Sequence, residues 1–240
     1  MTGLTLIIPV YNEEPILREN ILRIYDYLEG IDDLDSFEIM LACNGCTDAS
    51  EEISEALSNE KPGIRHLSIE GRGLGAAIRE AARIASYDMM MFYAVDIPFG
   101  LTVIGDSIAA ARENKKTVVI GSKGHRDSRV RRGVMRVLFS ATISILNNRL
   151  FGLGVSDTQG SILFYGETLR RYRDLMDSAG PFFKTQILIY SKLSGYRLME
   201  IPVELTRELR GTRFSLASDG LGYISSLFRE KAKLRRQGII

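Results

Sequence analysis

Ile8-Pro9-Val10-Tyr11-Asn12-Glu13-Glu14 opens the chain, and Ala94-Val95-Asp96-Ile97-Pro98 follows about eighty residues later. Each string sits where an apolar run stops and a loop begins, at residues 4–10 and 89–94. If both runs are parallel strands, both strings lie at strand carboxyl ends, where open α/β sheets bind their ligands. Asp96 is then a carboxylate at the mouth of a cleft, suited to a hard cation or a sugar.

Working outward, β-rich runs at residues 4–10, 37–42, 64–69, 89–93 and 117–120 alternate with helical patterns at 15–28, 47–57, 75–85 and 101–114. Pro15 suits a first helical turn, and Ile16, Leu17, Ile21, Ile24 and Leu28 recur on one side of that helix. Strict alternation with continuous apolar strands predicts an α/β fold with a mostly parallel central sheet flanked by helices. After Gly121 the rhythm changes. A basic loop leads to a helix at 134–151, a polar turn, a short apolar run at 161–164, helices at 167–176 and 184–193, a strand at 198–203 and a last helix at 219–236. One domain spanning 1–240 is expected, with 1–121 and 122–218 as the two sides of the cleft and 219–240 as a basic amphipathic helix.

With 45% hydrophobic and 25% charged residues and a net charge of +1, the chain has no global field to attract nucleic acid. Charge is concentrated instead: six Lys/Arg against Asp127 alone between residues 123 and 136. Cys43 and Cys46 are the two cysteines, so no disulfide framework is expected. No signal-peptide pattern and no run near the ~20 apolar residues of a spanning helix are visible, which reads as a cytoplasmic chain.

Several residues carry candidate chemistry. Tyr11 offers a stacking face, and Asn12 and Glu13 offer polar groups, although acids there also complement a helix dipole. Cys43-Asn44-Gly45-Cys46-Thr47-Asp48 reads either as a dithiol at a helix N-terminus or as a capped turn that aims the Asn44 amide outward. Gly71-Arg72-Gly73-Leu74-Gly75 permits close backbone approach before a helix, where phosphate is attracted, but it matches neither the P-loop nor the dinucleotide fingerprint. Asp96 reads as a cation ligand or as a cap for the following helix. Asp157, in Ser156-Asp157-Thr158-Gln159-Gly160, reads as a second site carboxylate or an Asx-turn. Arg126, Arg129, Arg131 and Arg132 form a cluster dense enough to bind an anion.

In this order the strings resemble the family 2 glycosyltransferases of the GT-A fold, closest to the dolichyl-phosphate mannose and glucose synthases. Residues 8–14 look like the I-P-x-Y-N-E opening, 43–48 stand at D-D-G-S-T-D, 71–77 resemble the glycine-rich stretch, and 94–96 occupy D-x-D. Residues 156–160 look like S-D-T-Q-C-G, and 195–203 like G-Y-x-x-x-E-x-P-V. The resemblance implies a nucleotide-sugar donor lying across Pro9, Tyr11, Asn12, Glu13, Asn44, Gly73 and Asp96. It implies a divalent metal (Mg or Mn) at Asp96, with Asp157 completing the metal or acceptor site. The acceptor implied is a polyprenyl phosphate, held by Arg126, Arg129, Arg131 and Arg132. Residues 1–121 then form the nucleotide-sugar half and 122–218 the acceptor half.

Three departures stand out: Ala94 replaces the first acid of D-x-D, Cys43-Asn44 the acidic pair, and Leu74 a common lysine. In the last helix Leu221, Ile224, Leu227 and Phe228 recur at helical spacing beside Arg229, Lys231, Lys233, Arg235 and Arg236. That pattern reads as an interfacial helix at an anionic membrane face, alone or with a membrane partner protein, or as a helix packed on the domain. Rival functions are transfer to a glycan or soluble acceptor, a nucleotide-sugar-binding module with a decayed site, and a Cys43/Cys46 oxidoreductase.

Overall fold

Leu4, Leu6, Ile8 and Val10 of the first strand, β1 (Gly3–Val10), face one apolar core, while Ile7 faces a second. This two-residue period recurs through the sheet, because each central strand is covered on both faces. The computed structural model describes residues 2–114, 116–130, 133–205 and 218–240. In chain order β1 is followed by α1 (Glu14–Glu29), β2 (Ser36–Asn44), α2 (Ser50–Glu60), β3 (Ile64–Ile69), α3 (Leu74–Arg83), β4 (Met89–Phe92), α4 (Thr102–Glu113) and β5 (Thr117–Ser122). Then come α5 (Val134–Phe151), β6 (Ser161–Tyr165), α6 (Gly166–Arg171), α7 (Phe182–Leu193), β7 (Arg197–Pro202) and α8 (Ser218–Arg236).

The strands form one seven-stranded sheet in the order β3-β2-β1-β4-β6-β5-β7. All neighbours are parallel except β6, which runs antiparallel to β4 and β5. That reversal has a topological consequence. The amino end of β6 lies beside the carboxyl ends of β4 and β5, with Ile162 opposite Phe92 and Ser161 opposite Gly121. The 156–160 turn therefore reaches the same sheet edge as the two strings that follow β1 and β4.

One core joins β1 to α1, α2 and α4 through Leu17, Ile21, Ile24, Leu57, Ile104 and Ile108. The other joins it to α3, α7 and α8 through Ala77, Ile78, Phe183, Ile187 and Leu234. At the opposite sheet edge Glu38 is buried and fully engaged. It accepts hydrogen bonds from Thr5 Oγ1 (2.7 Å), Ser86 Oγ (2.8 Å) and Arg65 Nη1 (2.9 Å).

Helix α8 is docked on the domain. Leu227 and Leu234 are fully buried, and the buried Glu230 carboxylate meets Tyr190 Oη (2.5 Å), Gln186 Nε2 (2.9 Å) and Lys233 Nζ (2.9 Å). The expected apolar stripe is thus divided: Leu227 points inward, whereas Leu221 and Phe228 point outward at 70% and 53% exposure. Lys231 and Lys233 bond the Leu150 and Leu175 carbonyls, which turns two of the five basic residues toward the protein. No helix among the described residues is long and apolar enough to cross a membrane.

Candidate active site

Pro9 opens the edge without ending β1. The Ile7 carbonyl accepts the Tyr93 N–H at 3.0 Å, so residue 7 faces β4. Two residues on, Pro9 faces the same way with no N–H to offer, so the β1–β4 ladder stops and residues 94–100 peel away. On the β2 side pairing continues, with Pro9 opposite Ala42.

Asn12 adopts a left-handed conformation (φ 54°) and exchanges two hydrogen bonds with Thr47, 2.8 Å from its N–H and 3.0 Å to its hydroxyl. The Glu13 N–H donates to Ser50 Oγ (2.8 Å), and Glu14 exchanges bonds with Asp48 and Ala49. Tyr11 lies under the Arg72 guanidinium, 4.3 Å from ring centroid to carbon, a cation–π contact that joins the first string to the glycine-rich one. The polar groups of residues 12–14 thus lock the β1 and β2 loops together.

Two expectations are corrected here. Asn44 does not aim its amide outward: it is 3% exposed, donates to the Val10 (2.7 Å) and Ala42 (3.3 Å) carbonyls, and accepts the Gly73 N–H (3.1 Å). Its bonding capacity is used inside the protein, where it clamps β1, β2 and the glycine stretch. The close approach that the glycines permit is made by the chain itself. A Cβ on Gly75 would lie 2.3 Å from the Ser178 carbonyl oxygen, and one on Gly73 would lie 2.9 Å from that of Ala179. Ala179 O also accepts the Gly75 N–H at 2.8 Å, so this helix N-terminus is capped by backbone and is not an open phosphate cradle.

Asp96 lies half-buried in a turn closed by the Ile97 N–H on the Ala94 carbonyl (3.2 Å) and held by Asn20 on Val95 O (2.9 Å). Ile97 has φ 48°, a strained conformation for a β-branched residue, and next to Asp96 it marks a constrained loop. The N-cap position of α4 is taken by Leu101, five residues beyond Asp96, and not by Asp96 itself.

The Asp157 turn is held from three sides. Glu200 of β7 accepts the Ser156 N–H (2.9 Å), Ser156 Oγ (2.7 Å) and the Asp157 N–H (3.0 Å) through one oxygen. Asp157 Oδ2 accepts the Lys123 N–H (3.1 Å) and pairs with its ammonium at 2.8 Å, while Oδ1 accepts the Gln159 N–H at 2.8 Å. Burial pushes this carboxyl up, but the Lys123 charge and these hydrogen bonds outweigh it and hold Asp157 below the usual carboxylate range. Through these bonds Asp157 organises the turn. From α8, Tyr223 Oη bonds Thr158 Oγ1 (2.8 Å) and Thr185 Oγ1 (2.5 Å).

Lys184 was missed in the sequence. Its ammonium is buried beneath the same turn, bonding the Gln159 (2.6 Å) and Gly160 (3.4 Å) carbonyls 4.7 Å from the Phe92 ring centroid. The signal was a single charge inside Phe182-Phe183-Lys184-Thr185-Gln186-Ile187-Leu188-Ile189-Tyr190, a stretch buried throughout.

In the basic loop Arg126 is exposed beside Asp127 (3.4 Å), and Arg129 is exposed with its backbone paired to residues 203–205. Arg131 and Arg132 lie outside the described residues, as does 206–217. Cys43 is buried on Ser54 Oγ (3.2 Å) near Cys46, and burial pushes its thiol up to about 12, away from a reactive thiolate.

A divalent cation needs oxygen donors, and among the described residues no group of three or more His, Cys, Asp or Glu side chains forms a cage. With Ala94 beside it, Asp96 offers one carboxylate. That set suits a cation taking most of its remaining ligands from substrate phosphates and water.

The sequence model described as Glycosyl transferase family 2 matches residues 5–177. Glycosyltransferase AglD of Haloferax volcanii is 26% identical over 228 residues, covering 94% of this chain, which spans 36% of that protein. Dolichyl-phosphate beta-glucosyltransferase ALG5A of Trichomonas vaginalis is 25% identical over 89% of this chain and 68% of its own length. Among solved structures, glucosyl-3-phosphoglycerate synthase from Mycobacterium tuberculosis, in complex with Mn2+, UDP and glucosyl-3-phosphoglycerate, matches with TM-score 0.66 and 15% identity over 96% of this chain and 80% of that one. The chain thus has the GT-A fold of those glycosyltransferases.

Proposed function

We propose, since this chain belongs to glycosyl transferase family 2, that it moves a hexose from a nucleotide-diphosphate sugar to a polyprenyl phosphate. One observation carries the reading: the reversal of β6 sets the Asp157 turn beside the Asp96 loop at the carboxyl edge of the parallel strands. The name of the ALG5A relative supports the lipid-phosphate acceptor, because the similarity to it runs over nearly the whole chain.

In this reading the nucleotide lies along residues 9–13, with Tyr11 and its Arg72 partner as a stacking platform. Asp96 would hold the divalent cation brought with the donor diphosphate, whose chemistry there would be to offset leaving-group charge. The acceptor phosphate is already anionic, so no strong base is needed to create the nucleophile. The chain's task is to place two anions in line at the sugar carbon, and the exposed Arg126 and Arg129 attract the acceptor. A single displacement inverts the anomer. Asn44 and Gly73 fix the floor of the donor cleft without touching the ligand.

The lipid-facing surface is assigned to α5 and α8. Met135, Leu138 and Ile145 share one face of α5 at 67%, 57% and 54% exposure, and Leu221 and Phe228 of α8 are exposed as well.

Purified protein with Mn2+, labelled UDP- and GDP-hexoses and a prenyl phosphate should yield organic-extractable label. Label confined to water-soluble phosphorylated or glycan acceptors would instead establish the alternative acceptor class.

A further inference from the structure

An ammonium withdrawn from water onto two backbone carbonyls is an unfavourable way to tie a turn. A hydroxyl or amide would satisfy the Gln159 and Gly160 carbonyls without burying a charge. Lys184 nevertheless occupies that place, at 6% exposure. The charged or titratable groups around it are few. Lys123 faces it from the end of β5, Asp157 from the turn before β6, and Tyr223 approaches from α8 through Thr185. Glu200 of β7 acts on the same turn through Ser156, and β4 contributes the Phe92 ring. Two ammonium groups, Lys123 and Lys184, thus stand with the Asp157 and Glu200 carboxylates around one turn, at the edge where a sugar diphosphate and an anionic acceptor would meet. Asp96 offers few protein oxygens for a cation there, since Ala94 stands beside it.

We propose that Lys184 is a positioning residue for the transfer: its buried charge holds the 157–160 turn and, with Lys123, supplies fixed positive potential to the donor diphosphate. The idea rests on the function proposed above and deepens it. Burial, reinforced by the Lys123 charge and opposed by that of Asp157, brings the Lys184 ammonium down to about 7. The potential therefore weakens as pH rises through neutrality.

The test uses the full chain as wild type, Lys184→Arg and Lys184→Met. UDP and GDP affinity with Mn2+ is measured by calorimetry from about pH 6 to about pH 9, alongside kcat and KM for transfer. In the wild type, nucleotide affinity should fall about tenfold across that range, because the titrating charge is close and poorly solvated. Lys184→Arg should keep affinity at high pH, whereas Lys184→Met should show the weak, flat profile throughout. Wild-type affinity that is flat with pH, or a Lys184→Met profile that retains the wild-type slope, overturns the proposal. If Lys184→Met fails to fold, the wild-type slope and its disappearance in Lys184→Arg decide the matter. A Lys184-dependent slope in nucleotide binding without transfer from any donor would instead sink the transferase reading.

Discussion

The Lys123 ammonium lies 2.8 Å from Oδ2 of Asp157, and the Lys123 backbone N–H donates to the same oxygen at 3.1 Å. The pair joins the end of β5 to the turn before β6, so one salt bridge fixes the two walls of the candidate acceptor side. Removing the carboxylate leaves Lys123 and Lys184 facing each other without that counter-charge. Asp157→Asn should lower stability by about 3 kcal/mol, as breaking a buried pair does. Transfer should fall about a hundredfold, because the turn loses its anchor. Urea unfolding and steady-state kinetics on the same variant measure both, and near-wild-type kinetics would refute the role.

Glu200 gathers three donors on one carboxylate oxygen. In Glu200→Gln the acceptor remains but its charge does not, and charge-assisted bonds are about twice as strong as neutral ones. The expected result is a loss of about 1 kcal/mol in stability and a kcat reduced about tenfold. A variant with unchanged kcat would show that the turn holds its shape without Glu200.

Ala94 stands where a second acid would increase the oxygen donors at Asp96. Ala94→Asp should strengthen Mn2+-dependent UDP binding by about tenfold, measured calorimetrically with and without the ion. Equal affinity in both variants would mean that position 94 does not face the diphosphate.

The central strands were legible because they are covered on both faces, and apolar-rich runs such as Leu4-Thr5-Leu6-Ile7-Ile8 betray that environment. The candidate site was legible only in outline. Asp96 and Asp157 could be named from their loops, but their shared edge depends on the reversal of β6, which a short run such as Ser161-Ile162-Leu163-Phe164 does not encode locally. Asn44 and Gly73 were read as facing a ligand, because local sequence does not disclose that Val10 and Ala179 supply the opposing groups. Lys184 was hidden for the same reason: its partners lie about 25 residues away in sequence.

Glu38 separates stability from activity, since it lies at the sheet edge opposite the candidate site. Burial pushes its carboxyl up, but hydrogen bonds from Ser86, Thr5 and Arg65 outweigh this and hold it below its ordinary value. A depressed folded value means that Glu38 contributes stability above the unfolded carboxylate pKa, lost as pH falls through the folded one. Glu38→Gln should unfold about 2 kcal/mol more easily at pH 7. It should also flatten the acid limb of the stability curve while leaving KM unchanged.

Lys184 has the opposite signature. Its folded value of about 7 lies below the ordinary 10.5, so between these limits the unfolded chain binds more protons than the folded one. Stability should therefore rise with pH across that window, by up to about 5 kcal/mol if the whole shift is expressed. Below it, the buried charge is a standing penalty. Lys184→Met removes the penalty but leaves the Gln159 and Gly160 carbonyls without a donor, which costs about 1–3 kcal/mol for each unsatisfied group. The two effects oppose each other, and the difference between wild type and variant should change with pH in one direction. Lys184→Met should compare best with wild type at pH 6 and worst near pH 9. Thermal unfolding of both proteins at the two pH values reads this directly. A difference that does not vary with pH would mean that Lys184 keeps an ordinary ammonium in the folded state.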